Sequence, residues 1–325
     1  MRPMPLPRPP IALAGVFEDP TAIRRLVEAR APYWPVQRYF ANDAEYAALS
    51  GESAAAPMIV APIFRGNWAV EGRAEPDVAA LLAHPPFVDA ARRLFAGEIV
   101  RPTTVYVNLT WQLPFPQGAG HTDIPAFRGM DRSRYPVTWL SLMGLSGLFE
   151  DVRLQIATAV AWLYPGADGG FEYWPEGPDG PARLREGRID NTAIVGDNDF
   201  MWHRVRPTGH PRDGMLRLAL DAELGWTGAD WEIRDGGRRL ATFGWDALRV
   251  SLSWKALVFA SDADRRRTDE HEDDIDLAAA VRRFDADLRT RGIAHAWPAD
   301  PVRDPATIRL LSETYVRYPA RTEAA

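Results

Sequence analysis

Two short segments of the sequence carry the residue types of a metal centre. His121 and Asp123 form a His-x-Asp motif directly after a predicted strand, and His203 follows a turn-forming run at 197–199. Because residues i and i+2 of a strand project to the same face, the His121 imidazole and the Asp123 carboxylate can converge on one ion. Two imidazoles and one carboxylate form the facial triad that holds non-haem Fe(II) with open coordination positions. His121, Asp123 and His203 are therefore the predicted metal ligands.

A second set of polar side chains lies on one face of a predicted strand. Arg249, Ser251, Ser253 and Lys255 alternate with apolar residues. Such a face is either exposed to solvent, as on an edge strand, or lines a site. An iron centre that takes electrons from a 2-oxo acid needs a fixed cation for the distal carboxylate of that acid. The planar guanidinium of arginine pairs with both carboxylate oxygens, which makes Arg249 the predicted anchor.

The strands that could position these residues are concentrated in the middle of the chain. Alternating apolar and polar residues, separated by Gly- and Asp-containing turns, indicate strands there. They are predicted over 103–113, 155–164, 170–174, 192–206 (broken by the turn at 197–199), 230–243 (as a hairpin) and 247–260.

Helical patterns flank this β-rich region on both sides. The chain is predicted to form a single domain over 1–325, with a helical and extended flank at 1–98, a β-barrel core at 99–260 and a helical flank at 261–325. The acidic stretch 262–274 is interpreted as a solvated loop.

Taken in order, these segments resemble the Fe(II)/2-oxoglutarate-dependent dioxygenase superfamily over roughly 100–260. The residues that carry the resemblance are the strand with Tyr106 and Asn108, His121-Thr122-Asp123, the turn at Gly169-Gly170, Met201-Trp202-His203-Arg204-Val205, and Arg249-Val250-Ser251. The resemblance implies a mainly β protein with flanking helices, built on a double-stranded β-helix, a jelly-roll or cupin-like barrel.

The resemblance also implies a function. Fe(II) would be held by His121, Asp123 and His203, and 2-oxoglutarate would be anchored by Arg249 and Ser251. Asn108 is added to the co-substrate residues from its position on the preceding strand alone. With O2 as the other co-substrate, such an enzyme oxidises a substrate, most commonly by hydroxylation, and releases succinate and CO2. Asp123 argues against the halogenating variant, which leaves that ligand position empty.

The position of the arginine departs from the family pattern. Family members usually place it on the strand directly after the distal histidine, whereas Arg249 follows His203 by 46 positions (249 − 203). Either about 208–246 is an insertion between the last two barrel strands, or the anchor is Arg217 or Arg212. We prefer Arg249 because its strand is longer and carries Ser251 in register.

Composition excludes several classes of protein. With 38 basic and 44 acidic residues, the chain has a net charge of −6 and lacks the positive surface that a nucleic acid needs. The absence of cysteine excludes disulfides and thiolate metal sites, and no apolar run is long enough for a membrane span. We expect a cytoplasmic protein that acts on a small molecule such as an amino acid, a peptide or a secondary metabolite.

Two alternatives remain open at this stage. A cupin-like metal enzyme would use the same triad without 2-oxoglutarate, and a non-catalytic β-sandwich binding module would place His121 and His203 far apart. The distance between the imidazoles separates the last alternative from the others. Nearest nitrogens more than roughly 5 Å apart cannot share a metal ion at ligand distances of about 2.0–2.1 Å.

Overall fold

The computed structural model describes residues 5–39, 60–115 and 117–320. Parts of the predicted flanks, at 1–4, 40–59 and 321–325, lie outside the described residues. In chain order the strands are β1 (Ile11–Ala14), β2 (Trp34–Pro35), β3 (Ile63–Val70), β4 (Arg73–Ala74), β5 (Ile99–Thr110), β6 (Gln155–Leu163), β7 (Phe171–Trp174), β8 (Arg183–Arg185), β9 (Thr192–Gly196), β10 (Trp202–Val205), β11 (Glu223–Trp226), β12 (Trp231–Asp235), β13 (Arg238–Phe243) and β14 (Arg249–Phe259).

Helices flank the strands on the N-terminal and C-terminal sides, as the sequence predicts. They are α1 (Pro20–Ala29), α2 (Pro76–Leu82), α3 (Pro85–Phe95), α4 (Val137–Ser146), α5 (Asp262–Asp269), α6 (Leu277–Thr290) and α7 (Pro305–Tyr315). No helix in the described ranges is long and apolar enough to cross a membrane.

Within the described ranges, the strands form one large and two small antiparallel sheets. The large sheet has the order β1-β9-β6-β14-β5-β3-β2, with β4 paired to β3. One small sheet has the order β10-β7-β8, and an isolated bridge between His121 and His203 adds the His121 segment beside β10. The other small sheet, β11-β12-β13, lies in the connection between β10 and β14, and its β12–β13 pair is the predicted hairpin.

The chain alternates between the large sheet and the β10-β7-β8 sheet. It passes from β5 to the His121 segment, to β6, to β7 and β8, to β9, to β10 and finally to β14. This alternation between two antiparallel sheets is the topology of a double-stranded β-helix, a jelly-roll barrel. The predicted fold class, mainly β with flanking helices, is confirmed.

Strand β14 lies in the middle of the large sheet, hydrogen-bonded to β5 on one side and to β6 on the other. One face of it carries Leu252 and Trp254 into the apolar core. That core is closed by α2 and α3, where Phe87 packs against Trp254 with ring centroids 5.6 Å apart. The polar face points the other way, because side chains alternate along a strand. It lines the space between the two sheets and is not an exposed edge.

The C-terminal helices enclose a second apolar cluster. Helices α4, α6 and α7 meet where Phe284 packs against Trp139 and Tyr315, with ring centroids 5.4 and 5.5 Å apart. Helix α4 lies on the chain between the His121 segment and β6. The packing of α4 against α6 and α7 therefore joins the C-terminal helices to the chain segment that follows the predicted metal ligands.

The prediction of a loop over 262–274 is wrong for its first part, which forms α5. Ser261 begins the helix by accepting a hydrogen bond from the backbone N–H of Asp264 at 3.2 Å. Arg265 then pairs with Asp269 four residues later, at 2.8 Å between Nη1 and Oδ2. A capping serine and complementary charges at i, i+4 stabilise a solvated helix without any apolar stripe. The stretch consists mostly of charged residues, so its composition resembles that of an exposed loop and does not indicate a helix.

Candidate metal centre

Backbone hydrogen bonds bring the two histidines of the predicted site together. The N–H of His121 donates to the carbonyl of His203, and the N–H of His203 donates to the carbonyl of His121, each at 2.9 Å. Gly120 permits this approach: its φ is +90°, and a Cβ on it would lie 2.8 Å from the His203 carbonyl oxygen. Any other residue would push the two segments apart.

Asp123 is fixed in orientation by two hydrogen bonds to one of its carboxylate oxygens. Lys255 Nζ donates to Oδ2 at 2.7 Å, and Thr158 Oγ1 donates to the same oxygen at 3.2 Å. The other oxygen, Oδ1, lies 3.7 Å from Nε2 of His203. Because Oδ2 is occupied, Oδ1 is the oxygen that can ligate a metal ion.

The ring of His203 is fixed in a similar way. Its Nδ1 lies 2.9 Å from the carbonyl oxygen of Met201. A carbonyl can only accept, so Nδ1 carries a proton and Nε2 is the nitrogen left to ligate a metal ion. A backbone carbonyl behind a histidine ligand is a common way to fix the tautomer and the ring orientation.

The predicted ligands do meet. One nitrogen of each imidazole and one carboxylate oxygen of Asp123 all lie within 4.8 Å of one another. The ring centroids of His121 and His203 are 4.4 Å apart, with the planes inclined by 57°. The two imidazole nitrogens, at most 4.8 Å apart, satisfy the limit of roughly 5 Å for a shared ion, so the binding module with distant histidines is excluded. The donor set fits Fe(II), since two nitrogens and one oxygen leave coordination positions open.

Electrostatics keep His121 and Asp123 in the protonation states of metal ligands. His121 has a solvent-exposed edge, but removal of its ring from bulk water lowers its pKa to about 3, and His203 acts in the same direction. Burial alone would raise the pKa of Asp123. The positive charge of Lys255 outweighs burial and, with His203, holds that pKa well below its usual range. At pH 7 the site therefore offers a neutral His121 imidazole and a carboxylate.

Arg249 lies on the polar face of β14, against the loop that enters β7. It is 2% exposed, and its Nε donates to the carbonyl of Gly169 at 2.6 Å. Its Nη2 is buried and has no hydrogen-bond partner among the described residues. Nearby Asp168 is engaged elsewhere, since it accepts hydrogen bonds from Tyr164 and from the N–H of Gly209. Burial lowers the pKa of Arg249 to about 10, which leaves the guanidinium charged at pH 7.

The two other predicted co-substrate residues lie beside Arg249 in the sheet. Ser251 of β14 is paired in register with Asn108 of β5, so both face the space between the sheets. The Oδ1 atom of Asn108 accepts a hydrogen bond from Nε of Arg65 at 2.9 Å. The rival anchors Arg212 and Arg217 are both exposed. Among these three arginines, only the guanidinium of Arg249 is buried.

Two residues of the site were not assigned by sequence reasoning. Lys255 was placed on the polar face of its strand but given no role, although it is the only lysine in the chain. Asp199 lies in the turn before His203 and is 1% exposed, with no hydrogen-bond partner for either carboxylate oxygen among the described residues. Burial raises its pKa well above the usual value. Its acidic turn sequence gave no sign of burial.

No protein-family model matches the sequence, and no curated protein sequence is significantly similar to it. The chain is similar to a solved oxidoreductase of the 2OG-Fe(II) oxygenase family from Burkholderia pseudomallei, with 14% identity, a TM-score of 0.40 and coverage of 78% of this chain and 86% of that chain. It is also similar to HygX from Streptomyces hygroscopicus, solved with nickel, 2-oxoglutarate and hygromycin B, with 13% identity, a TM-score of 0.38 and coverage of 77% and 83%.

A prolyl-4-hydroxylase from Pseudomonas putida has 13% identity and a TM-score of 0.34, with coverage of 78% of this chain and 94% of that chain. At this level of similarity, the fold assignment rests on the strand order described above. The chemistry rests on the arrangement of the side chains.

Proposed function

We propose that the protein is a non-haem Fe(II)- and 2-oxoglutarate-dependent oxygenase that acts on a small molecule. The observation that carries this proposal is the convergence of His121, Asp123 and His203 within 4.8 Å, each in the protonation state or orientation of a ligand. When bound, the iron with its co-substrate supplies O2 activation, coupled to conversion of 2-oxoglutarate to succinate and CO2. The overall reaction inserts one oxygen atom of O2 into the substrate and the other into succinate.

Arg249 supports 2-oxoglutarate as the co-substrate. A buried guanidinium with an unpaired N–H is unfavourable unless a ligand supplies an acceptor. A carboxylate fulfils this requirement, since it accepts parallel hydrogen bonds from arginine. Ser251, two residues further along the same face, adds a hydroxyl donor. The cupin-like alternative assigns no role to the unpaired N–H of Arg249.

The remaining residues orient these groups. Met201 fixes the His203 tautomer through its carbonyl, and Thr158 with Lys255 fixes the Asp123 carboxylate. The apolar cluster between the two sheets, where Trp162 and Phe171 pack with ring centroids 5.4 Å apart, excludes water from one side of the site. We extend the proposal to hydroxylation of an amino acid, a peptide or a secondary metabolite by a cytoplasmic enzyme, as expected from the sequence.

An anaerobic titration with Fe(II) and 2-oxoglutarate tests the proposal. We expect a weak visible charge-transfer band from the metal–2-oxoglutarate chelate, and succinate formation once O2 is admitted with a substrate. His203→Ala removes one ligand and should abolish both signals, whereas His210→Ala, which changes an exposed histidine, should leave them unchanged. Fe(II) binding without any 2-oxoglutarate binding would favour the cupin-like alternative. A protein that binds neither would exclude both enzymes.

A further inference from the structure

A polar cleft lies at the end of the large sheet, where β6 begins and β14 ends. It has a volume of about 170 Å³ and is bordered on one side by α5. Its charged lining residues are of both signs: Arg128, Glu150, Asp151, Arg153, Asp264 and Arg267. Neither the three metal ligands nor Arg249 lines it. The cleft is therefore separate from the metal centre.

Two arginines of the cleft are buried and held in place. The side chains of Arg128 and Arg153 are each 7% exposed. Nη2 of Arg128 donates to the carbonyl of Asp151, and its Nε lies 2.6 Å from Oδ1 of Asp273. Nη1 of Arg153 donates to Oδ1 of Asp197 at 3.1 Å. Because a guanidinium carries five N–H donors, these contacts fix both arginines and leave donors for a ligand.

The carboxylates beside these arginines are loosely paired. Nε of Arg153 lies 3.5 Å from Oε2 of Glu150, and Nη1 of Arg128 lies 3.9 Å from Oδ1 of Asp264. Hydrogen bonds between charged groups normally span about 2.7–2.9 Å. Burial raises the pKa of Glu150 even though Arg153 acts in the opposite direction. The cleft therefore combines cationic donors with carboxylates that lack a close partner.

This mixed lining suits a ligand that carries both charges. A ligand with a single charge would be attracted by one half of the lining and repelled by the other. We propose that the cleft is an effector site for a small zwitterionic amino acid. Its carboxylate would accept from Arg128 and Arg153, and its ammonium would donate to Glu150 and Asp264. The volume holds several water molecules, which is appropriate for glycine, alanine or serine.

Arg153 connects this cleft to the metal centre. Its guanidinium lies 4.3 Å from the ring centroid of Phe200, and its Nη1 bonds Asp197. Between these two residues, the carbonyl of Asn198 accepts the N–H of the metal ligand Asp123 at 2.8 Å. A ligand that shifts Arg153 therefore acts on the turn that positions Asp123. Because such coupling is reciprocal, the metal ion and the effector should each change the affinity for the other.

Calorimetric titration of the metal-free full chain with glycine, L-alanine and L-serine tests the site. We expect saturable binding of at least one of them. Its N-acetyl and amide derivatives, which each lack one charge, should bind at least about tenfold more weakly, because each loses a contact with a charged group. Equal binding of the zwitterion and both derivatives, or no saturable binding of any of the three, would overturn the inference.

Glu150→Gln removes the negative charge that faces the ammonium and should weaken binding about tenfold. This side chain is 43% exposed, so the change is compatible with folding. Arg303→Met, at a side chain that is 72% exposed, is the control. Wild-type affinity in Glu150→Gln would contradict the assignment of the ligand.

The effector role is tested by the dissociation constant of Mn(II). In the wild type, a saturating amount of the bound amino acid should change this constant at least about fivefold. An unchanged constant would overturn the effector role. Because binding to the cleft is measured without metal, its outcome does not depend on the proposed oxygenase function, and a protein that binds the amino acid but no metal ion would contradict only that function.

Discussion

The Nε atom of Arg249 donates a 2.6 Å hydrogen bond to the carbonyl of Gly169, while Nη2 of the same guanidinium is buried without a partner among the described residues. One contact thus fixes the side chain, and the unused donor is left for a ligand. An arginine side chain that the protein already holds in one orientation loses little conformational freedom when an anion binds to it.

Gly169→Ala should weaken 2-oxoglutarate binding at least about tenfold while leaving metal affinity unchanged. Gly169 has φ +62°, and a Cβ there would lie 2.6 Å from Thr208 Cγ2 and 2.8 Å from Cδ of Arg249. The matched control is Gly187→Ala, since Gly187 has φ +72° but nothing within 4 Å of the added Cβ. Both variants bear backbone strain of about 1–3 kcal/mol. Calorimetric titration should show weaker 2-oxoglutarate binding in Gly169→Ala and wild-type binding in Gly187→Ala.

Arg249→Met should weaken 2-oxoglutarate binding by at least about 30-fold, which corresponds to about 2 kcal/mol for loss of one partner of a buried charge pair. The free energy of unfolding should fall little, because the substitution also removes a buried charge that has no ion-pair partner in the part of the chain that the structure describes. Arg217→Met, at an exposed position, is the control and should bind normally. If Arg217→Met lost affinity and Arg249→Met did not, the anchor would be the rival arginine.

Gly120→Ala should separate the two histidine segments and reduce the affinity for Mn(II) or Fe(II) by about 10–100-fold, the range seen when the support of a metal ligand is lost. The added Cβ would lie 2.8 Å from the carbonyl oxygen of His203. Gly118→Ala controls for strain, because Gly118 has φ +57° and open space around the added carbon. Equal metal affinity in both variants would show that the close approach is dispensable.

Two of the three metal ligands could be predicted from the sequence because their geometry is local. His121 and Asp123 are two residues apart, and a strand-like segment places such a pair on one side. The polar face of β14 was visible for the same reason. The fold class followed from the order of the strands. The partner of Lys255 could not be predicted, because its contact with Asp123 spans 132 positions of the chain.

Helix α4 could not be predicted because it lacks a periodic pattern. Eight of its ten residues, in the span Val137–Ser146, are buried, and a helix buried on most sides has no polar stripe to reveal its period. The burial of Asp199 could not be inferred from the sequence either. Acidic residues and asparagine in a turn indicate solvent exposure, and only tertiary packing brings that turn beneath the metal site.

The C-terminal flank should contribute stability that depends on pH through His295. Its Nδ1 lies 2.9 Å from the carbonyl of Ile293, and its Nε2 lies 2.9 Å from Oδ1 of Asp285. Both partners are acceptors, so both ring nitrogens donate only in the charged form. The Ile293 carbonyl, followed by Asp285, raises the pKa of His295 above its ordinary value.

A pKa raised by folding contributes stability that is complete below the unfolded-state value and is lost as pH rises through the folded-state value. The deficit in unfolding free energy of His295→Gln, relative to the wild type, should therefore be largest near pH 5.5 and smaller at pH 8.5. Urea denaturation at both pH values measures this deficit. His210→Gln, at an exposed histidine, is the control, and a constant deficit in His295→Gln would contradict the assignment.

Strand β14 is paired with β5 along its whole length and with β6 over Val250–Val258. A strand enclosed on both sides opens only when the sheet around it does, so its amide hydrogens should be among the slowest to exchange with solvent. Arg249 and Lys255, which point to the same face, are both carried by this strand. We therefore expect the spacing between Arg249 and Lys255 to be among the least adjustable distances in the molecule.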